Sequence, residues 1–144
     1  MIHLRLDAGS AMPAYAQLVL QVRRAVLRGV LVPGDRLPTA REVVASLAIN
    51  PNTVLKAYTQ LEHEGIVYSR PGLGTFIADT APAPVPATEQ RRLGPALESW
   101  VERARAAGLS GEAVWSLVDS AIENAYGPGA LRPRVPPGDA DQVT

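Results

Sequence analysis

Apolar residues return at helical spacing in the first part of the chain. Between Ala14 and Arg28 one side carries Leu18, Val22, Ala25 and Val26, and the other Gln17, Gln21, Arg24 and Arg28, which predicts an amphipathic first helix. Gly29 and the Pro33-Gly34 pair stop it, because glycine takes the left-handed cap and proline cannot continue a helix. Thr39 then stands as an N-cap with Glu42 three residues on, a capping box opening a short second helix that runs to about Leu47 and turns Val43, Val44 and Leu47 inward. Asn50 followed by Pro51 marks a third helix start. In it Val54, Ala57, Tyr58 and Leu61 form one inward stripe, while Asn52, Lys56, Thr59 and His63 face outward with Thr53 and Gln60 at the flanks. After Gly65 the period shortens. Ile66-Val67-Tyr68-Ser69 and Thr75-Phe76-Ile77-Ala78 are two β-prone runs joined through Pro71, Gly72 and Gly74, a hairpin.

From Asp79 to Ala87 prolines at 82, 84 and 86 favour an extended, semi-rigid spacer. Helical periodicity resumes in Leu93, Leu97, Trp100, Val101 and Ala104, ends at Gly108, and restarts at Ser110 with Val114, Leu117, Val118, Ala121, Ile122 and Ala125. The expected organisation is a domain at 1–78, a proline-rich linker at 79–92, a helical hairpin at 93–126 and a disordered tail at 127–144. The fold class is mainly α with a small β-hairpin (α+β): a winged helix-turn-helix, whose plan presents a helix N-terminus and a wing to DNA, followed by two short helices. That pair, with Trp100 and Trp115, carries more apolar surface than it can bury alone. It docks either on its own N-terminal domain or on the same hairpin of a second subunit. The proline spacer favours the second arrangement, a homodimer joined through Leu97, Trp100, Val101, Val114, Leu117, Val118 and Ile122 and matched to a palindromic site.

Composition removes other classes. At 144 residues and 47% hydrophobic content the chain holds one ordinary domain and a small appendage, with no room for a large catalytic domain. It has no cysteine, and its two histidines, His3 and His63, are far apart, so neither a metal site nor a cofactor is expected. No Ser-His-Asp set or carboxylate pair suggests an enzyme. No run of about 18 apolar residues is present, which leads us to expect a cytoplasmic protein without a membrane partner. Net charge is zero, and residues 1–78 hold eight basic against five acidic side chains, so DNA binding has to rest on where particular residues sit. A winged helix that binds protein, with weak or no DNA affinity, is the alternative.

Several motifs carry a resemblance: Pro13-Ala14-Tyr15-Ala16-Gln17-Leu18, Gly34-Asp35-Arg36-Leu37-Pro38-Thr39-Ala40-Arg41-Glu42, Asn50-Pro51-Asn52-Thr53-Val54, Ala57-Tyr58 with Leu61, Glu64-Gly65, and Gly72-Leu73-Gly74-Thr75-Phe76. In this order they resemble the GntR family of bacterial transcription regulators, and the short C-terminal part is similar to its YtrA-like subfamily. The resemblance covers about residues 12 to 78. It implies a repressor, often of its own operon and of neighbouring ABC-transporter genes, released by a small-molecule effector bound at the dimer interface or between domains, or acting with no effector at all. One subfamily appends an aminotransferase-like domain with a pyridoxal phosphate lysine; the single lysine here, Lys56, lies on the outward face of the third helix and excludes that reading. Many members carry an arginine early in the recognition helix where this chain has Pro51 or Asn52, so base preference does not transfer.

Each expected DNA contact has a chemical reason. Asn52, Thr53 and Lys56 occupy the first turns of the recognition helix, which enter a major groove, and Asn and Lys have the donors to read adenine and guanine edges. Asn50 serves either as a base contact or as a cap. Arg41 sits where the family places a DNA-contacting arginine, with phosphate as its target. Thr39 donates to a phosphate at a helix N-terminus, and Arg36 either does likewise or pairs with a nearby acid. Gly72 and Gly74 let the wing backbone turn and approach the minor groove, with Arg70 beside them.

Overall fold

The computed structural model describes residues 2–130. Element order is α1 (Ala14–Leu27), α2 (Ala40–Leu47), α3 (Pro51–His63), β1 (Val67–Arg70), β2 (Gly74–Ile77), α4 (Ala87–Ala106) and α5 (Gly111–Tyr126). The chain divides into two compact units, at 1–86 and from residue 87 onward. No helix among the described residues is long and apolar enough to cross a membrane.

In the first unit the apolar stripes of the three helices converge. Leu18, Val22, Val54, Ala57, Leu61 and Ile77 are fully buried, and Val43 and Leu37 close the core around them. Val44 and Leu47 of α2 are partly buried against the same cluster. Arg23 of α1 reaches Glu64 at the end of α3 at 2.6 Å, pinning the two helices where they separate.

Two elements go beyond the sequence expectation. The N-terminal segment is part of the core: Leu4 is buried and Ile2 and Leu6 pack beside it, an alternating strand pattern. Gln17 and Gln21, expected only as the polar face of α1, hold this segment. Gln21 accepts from Arg5 N–H at 2.8 Å and donates to Arg5 C=O at 2.6 Å, and one turn away Gln17 does the same for Asp7 at 2.8 and 3.1 Å. The second element is a third sheet edge. Antiparallel β1 and β2 pair Val67 with Ile77, Tyr68 with Phe76, Ser69 with Thr75 and Arg70 with Gly74. The segment from Gly34 to Leu37 joins β2 on its other side, with Gly34 N–H on Ile77 C=O at 2.9 Å, Ile77 N–H on Asp35 C=O at 2.8 Å and Leu37 N–H on Thr75 C=O at 2.8 Å.

The expected linker at 79–92 needs correction. Its first half lies on the first unit: Ala81 packs against the core, and Val85 N–H donates to Leu27 C=O at 2.8 Å. Its second half is helical, because α4 begins at Ala87, well before the first apolar position of its stripe. Thr88-Glu89-Gln90-Arg91-Arg92 are polar helix formers that produce no hydrophobic period, and Glu89 pairs with Arg92 at 2.7 Å.

In the second unit α4 includes Pro95, which costs the helix one backbone bond. Gly108, at φ 85°, turns the chain, and Ser110 caps α5 by accepting Ala113 N–H at 3.1 Å. Ala104 is the one buried residue of α4, and α5 has none. Residues 127–130 follow as a turn; the rest of the expected disordered tail, from 131, lies outside the described residues.

Candidate nucleic-acid interface

Helix α2 starts as its sequence dictates. Thr39 Oγ1 accepts Glu42 N–H at 3.1 Å, and the Glu42 carboxylate accepts Thr39 N–H at 3.3 Å. It ends at Ala48, whose left-handed φ of 53° is the only positive φ among non-glycine residues described. Helix α3 follows within two residues. Asn50 Oδ1 accepts Asn52 N–H at 2.9 Å ahead of Pro51, so the Asn50 carbonyl oxygen is committed to the cap. Of its two roles the structure displays the capping one.

Asn52 and Lys56 are exposed and Thr53 is half-buried. Lys56 lies one turn on from both Asn52 and Thr53, so the three share one edge of α3. Lys56 Nζ sits 4.1 Å from the centre of the Tyr15 ring of α1, a cation–π contact. Sequence spacing gives Tyr15 no part in the site, although it lies in the motif opening α1.

The wing and the start of α2 form one surface. Arg36, Thr39, Arg70, Gly72 and Gly74 line a single open depression. Leu73 N–H donates to Arg70 C=O at 3.0 Å, and Gly72 has φ 77°, the positive value a type II turn needs after Pro71. A side chain at Gly74 would meet Arg36 Cδ at 3.3 Å, so glycine there lets the Arg36 stem cross the wing. Arg36 reaches Glu42 at 3.3 Å, the acid-pairing alternative, while Arg41 is exposed. The two wing strands are stiffened by Tyr68 stacked on Phe76, ring centres 5.7 Å apart, with the Arg70 guanidinium 5.7 Å from the Tyr68 ring.

Tyr58 joins the two helices of the motif. It lies on the buried stripe of α3 and its hydroxyl donates to Pro38 C=O at 2.5 Å, next to the Thr39 cap. Burial first, and the Glu42 charge second, push its phenol above the usual tyrosine range, so it stays protonated and donating. Tyr58→Phe is expected to cost about 1 kcal/mol. Urea unfolding checks this, with a lower midpoint and an unchanged slope.

Two capped helices joined by a tight turn, set on a third helix and followed by a β-hairpin, make the first unit a winged helix-turn-helix, a DNA-reading head. The bacterial regulatory proteins of the gntR family match residues 3–77, and the chain belongs to that family. It is 42% identical over 78 residues to the transcriptional repressor YtrA of Bacillus subtilis, covering 54% of this chain and 60% of that protein. It is 37% identical over 103 residues to the transcriptional regulator YhcF of the same organism, covering 72% and 84%. Among solved structures, a GntR-family transcription factor, YtrA of Sulfolobus acidocaldarius, is similar with a TM-score of 0.50 and 29% identity, over 72% of this chain and 97% of that one. The chain is accordingly a DNA-binding transcriptional regulator and not an enzyme.

Proposed function

We propose that the protein is a cytoplasmic homodimeric repressor of its own operon, binding a palindromic operator through α3 and the wing, with ABC-transporter genes among its targets. The observation that carries this reading is the polar edge of α3, with Asn52 and Lys56 exposed, in the same unit as a glycine-tipped wing that shares one surface with the start of α2. Asn52, Thr53 and Lys56 read the major groove, with the free amide of Asn50 beside them. Arg41 and the helix start at Thr39 hold phosphate, and Arg36, Arg70, Gly72 and Gly74 engage the backbone and the minor groove. YtrA of Bacillus subtilis bears the name of a repressor, which supports the direction of regulation.

The second unit supports the dimer. Leu97, Val101 and Leu117 are 57, 41 and 50% exposed, and Trp115 is 54% exposed. Trp100, Val114, Val118 and Ile122 are half-buried. Apolar faces of this extent on a short helical pair call for a partner surface, and a second copy supplies a self-complementary one.

The test is a titration of DNA from the promoter of its own operon at several salt concentrations. A repressor that neutralises several phosphates loses affinity with a slope of about −0.9 per phosphate contacted. A flat salt response, or no preference for its own promoter, favours the protein-binding winged helix instead. Within the same assay Lys56→Ala is expected to weaken operator binding by ~1–3 kcal/mol. Unchanged affinity at low salt removes Lys56 from the interface.

A further inference from the structure

A second basic surface lies outside the DNA-reading site. The N-terminal segment and the second half of α1 line an open cleft of about 450 Å³, within the size range of small-molecule sites. Ile2 and Leu27 provide its apolar wall, and every charged or titratable side chain lining it, His3, Arg5, Arg24 and Arg28, is basic in type. No acid lines it.

The fold brings the backbone of these arginines to one flank and leaves their side chains exposed. Arg5 is fixed through both its backbone groups by the Gln21 amide, at 2.8 and 2.6 Å. Arg24 follows Gln21 by three residues and Arg28 follows Arg24 by four, which stacks them along the same flank of α1. Arg23, on a neighbouring face, has its carboxylate partner in Glu64, whereas Arg5 and Arg24 enter no ion pair among the described residues. The fold thus holds Arg5 and Arg24 at a cleft without an acid to balance them.

We propose that this cleft binds a small phosphate-bearing compound, with the Arg5 and Arg24 guanidinium groups on its oxygens. Arg28 is about 20 Å along α1 from Tyr15 at 1.5 Å per residue, and Tyr15 is where Lys56 of the recognition helix rests. The cleft is therefore at the opposite end of α1 from that contact. It is also beside the segment leading to the second unit, since Leu27 in its wall accepts the Val85 N–H at 2.8 Å. An occupant would sit beside the 79–86 segment of the first unit.

Calorimetric titration of the full chain with inorganic phosphate and with pyrophosphate, at constant ionic strength, tests the site without reference to DNA. Saturable binding is expected, tighter for pyrophosphate and at least tenfold weaker in Arg5→Gln and in Arg24→Gln. Both variants should keep the thermal midpoint of the ligand-free parent. Heats that follow ionic strength alone, or variants that bind pyrophosphate like the parent, overturn the proposal. If the variants lose affinity for a DNA duplex while pyrophosphate binding is untouched, the cleft belongs to the nucleic-acid backbone and the small-molecule reading fails.

Discussion

Leu61→Ala is expected to lower the unfolding free energy of the first unit by ~2–5 kcal/mol. Leu61 has no exposed surface and lies in the cluster that joins α1, α3 and the start of β1. Truncation there loses the transfer energy of the side chain and leaves a hole, because α1 and α3 are already fastened by Arg23–Glu64, and α3 to the segment before α2 by Tyr58 to Pro38. A loss of that size is a large share of the roughly 5–15 kcal/mol that keeps a typical domain folded. Leu55 on the same helix is 53% exposed, and Leu55→Ala should stay within about 0.5 kcal/mol. Denaturant unfolding of the two variants side by side separates burial from helix propensity, since both exchange leucine for alanine. Equal effects would mean that α3 does not pack as described.

Leu97→Asp combined with Leu117→Asp is expected to convert the proposed dimer to a monomer while the first unit keeps its melting behaviour. Both leucines are at least half exposed, so aspartate costs the isolated chain little, but in a dimer each carboxylate would be buried in an apolar interface without a counter-charge. Losing the second head removes the gain from binding two half-sites at once, roughly a hundredfold or more in operator affinity. Sedimentation velocity at micromolar concentration and a gel-shift titration provide the two readouts. A variant that stays dimeric places the interface elsewhere, and a monomer with parental affinity separates operator binding from dimerisation.

The features legible in the sequence are those whose causes are local. Thr39 with Glu42, Asn50 with Pro51, and the stripe Val54, Ala57, Tyr58 and Leu61 each act within one or two turns, so residue type and spacing suffice to place α2 and α3. The sheet edge from Gly34 to Leu37 is hidden because its partner, β2, lies some forty residues on and its own four residues show no alternation. Gln17 and Gln21 are hidden for a related reason: a polar side chain on a helix looks the same whether it meets water or the backbone of a distant extended segment. The alternation of Ile2, Leu4 and Leu6 is a usable sign of that segment, although three isolated apolar positions are easily passed over. In the candidate site, proximity is the missing part. No spacing rule places Lys56 over Tyr15, or Arg36 across Gly74.

The pairing of the Gly34–Leu37 segment with β2 has a mechanical consequence. The same few residues that lead into the Thr39 cap are stitched to the wing by three backbone hydrogen bonds, so the hairpin cannot swing independently of α2. In the proposed complex, whatever the wing touches in one groove is then phase-locked to what the helix reads in the next. An operator with one extra base pair between those two contacts would have to distort its own helix, because the head has no hinge at which to stretch.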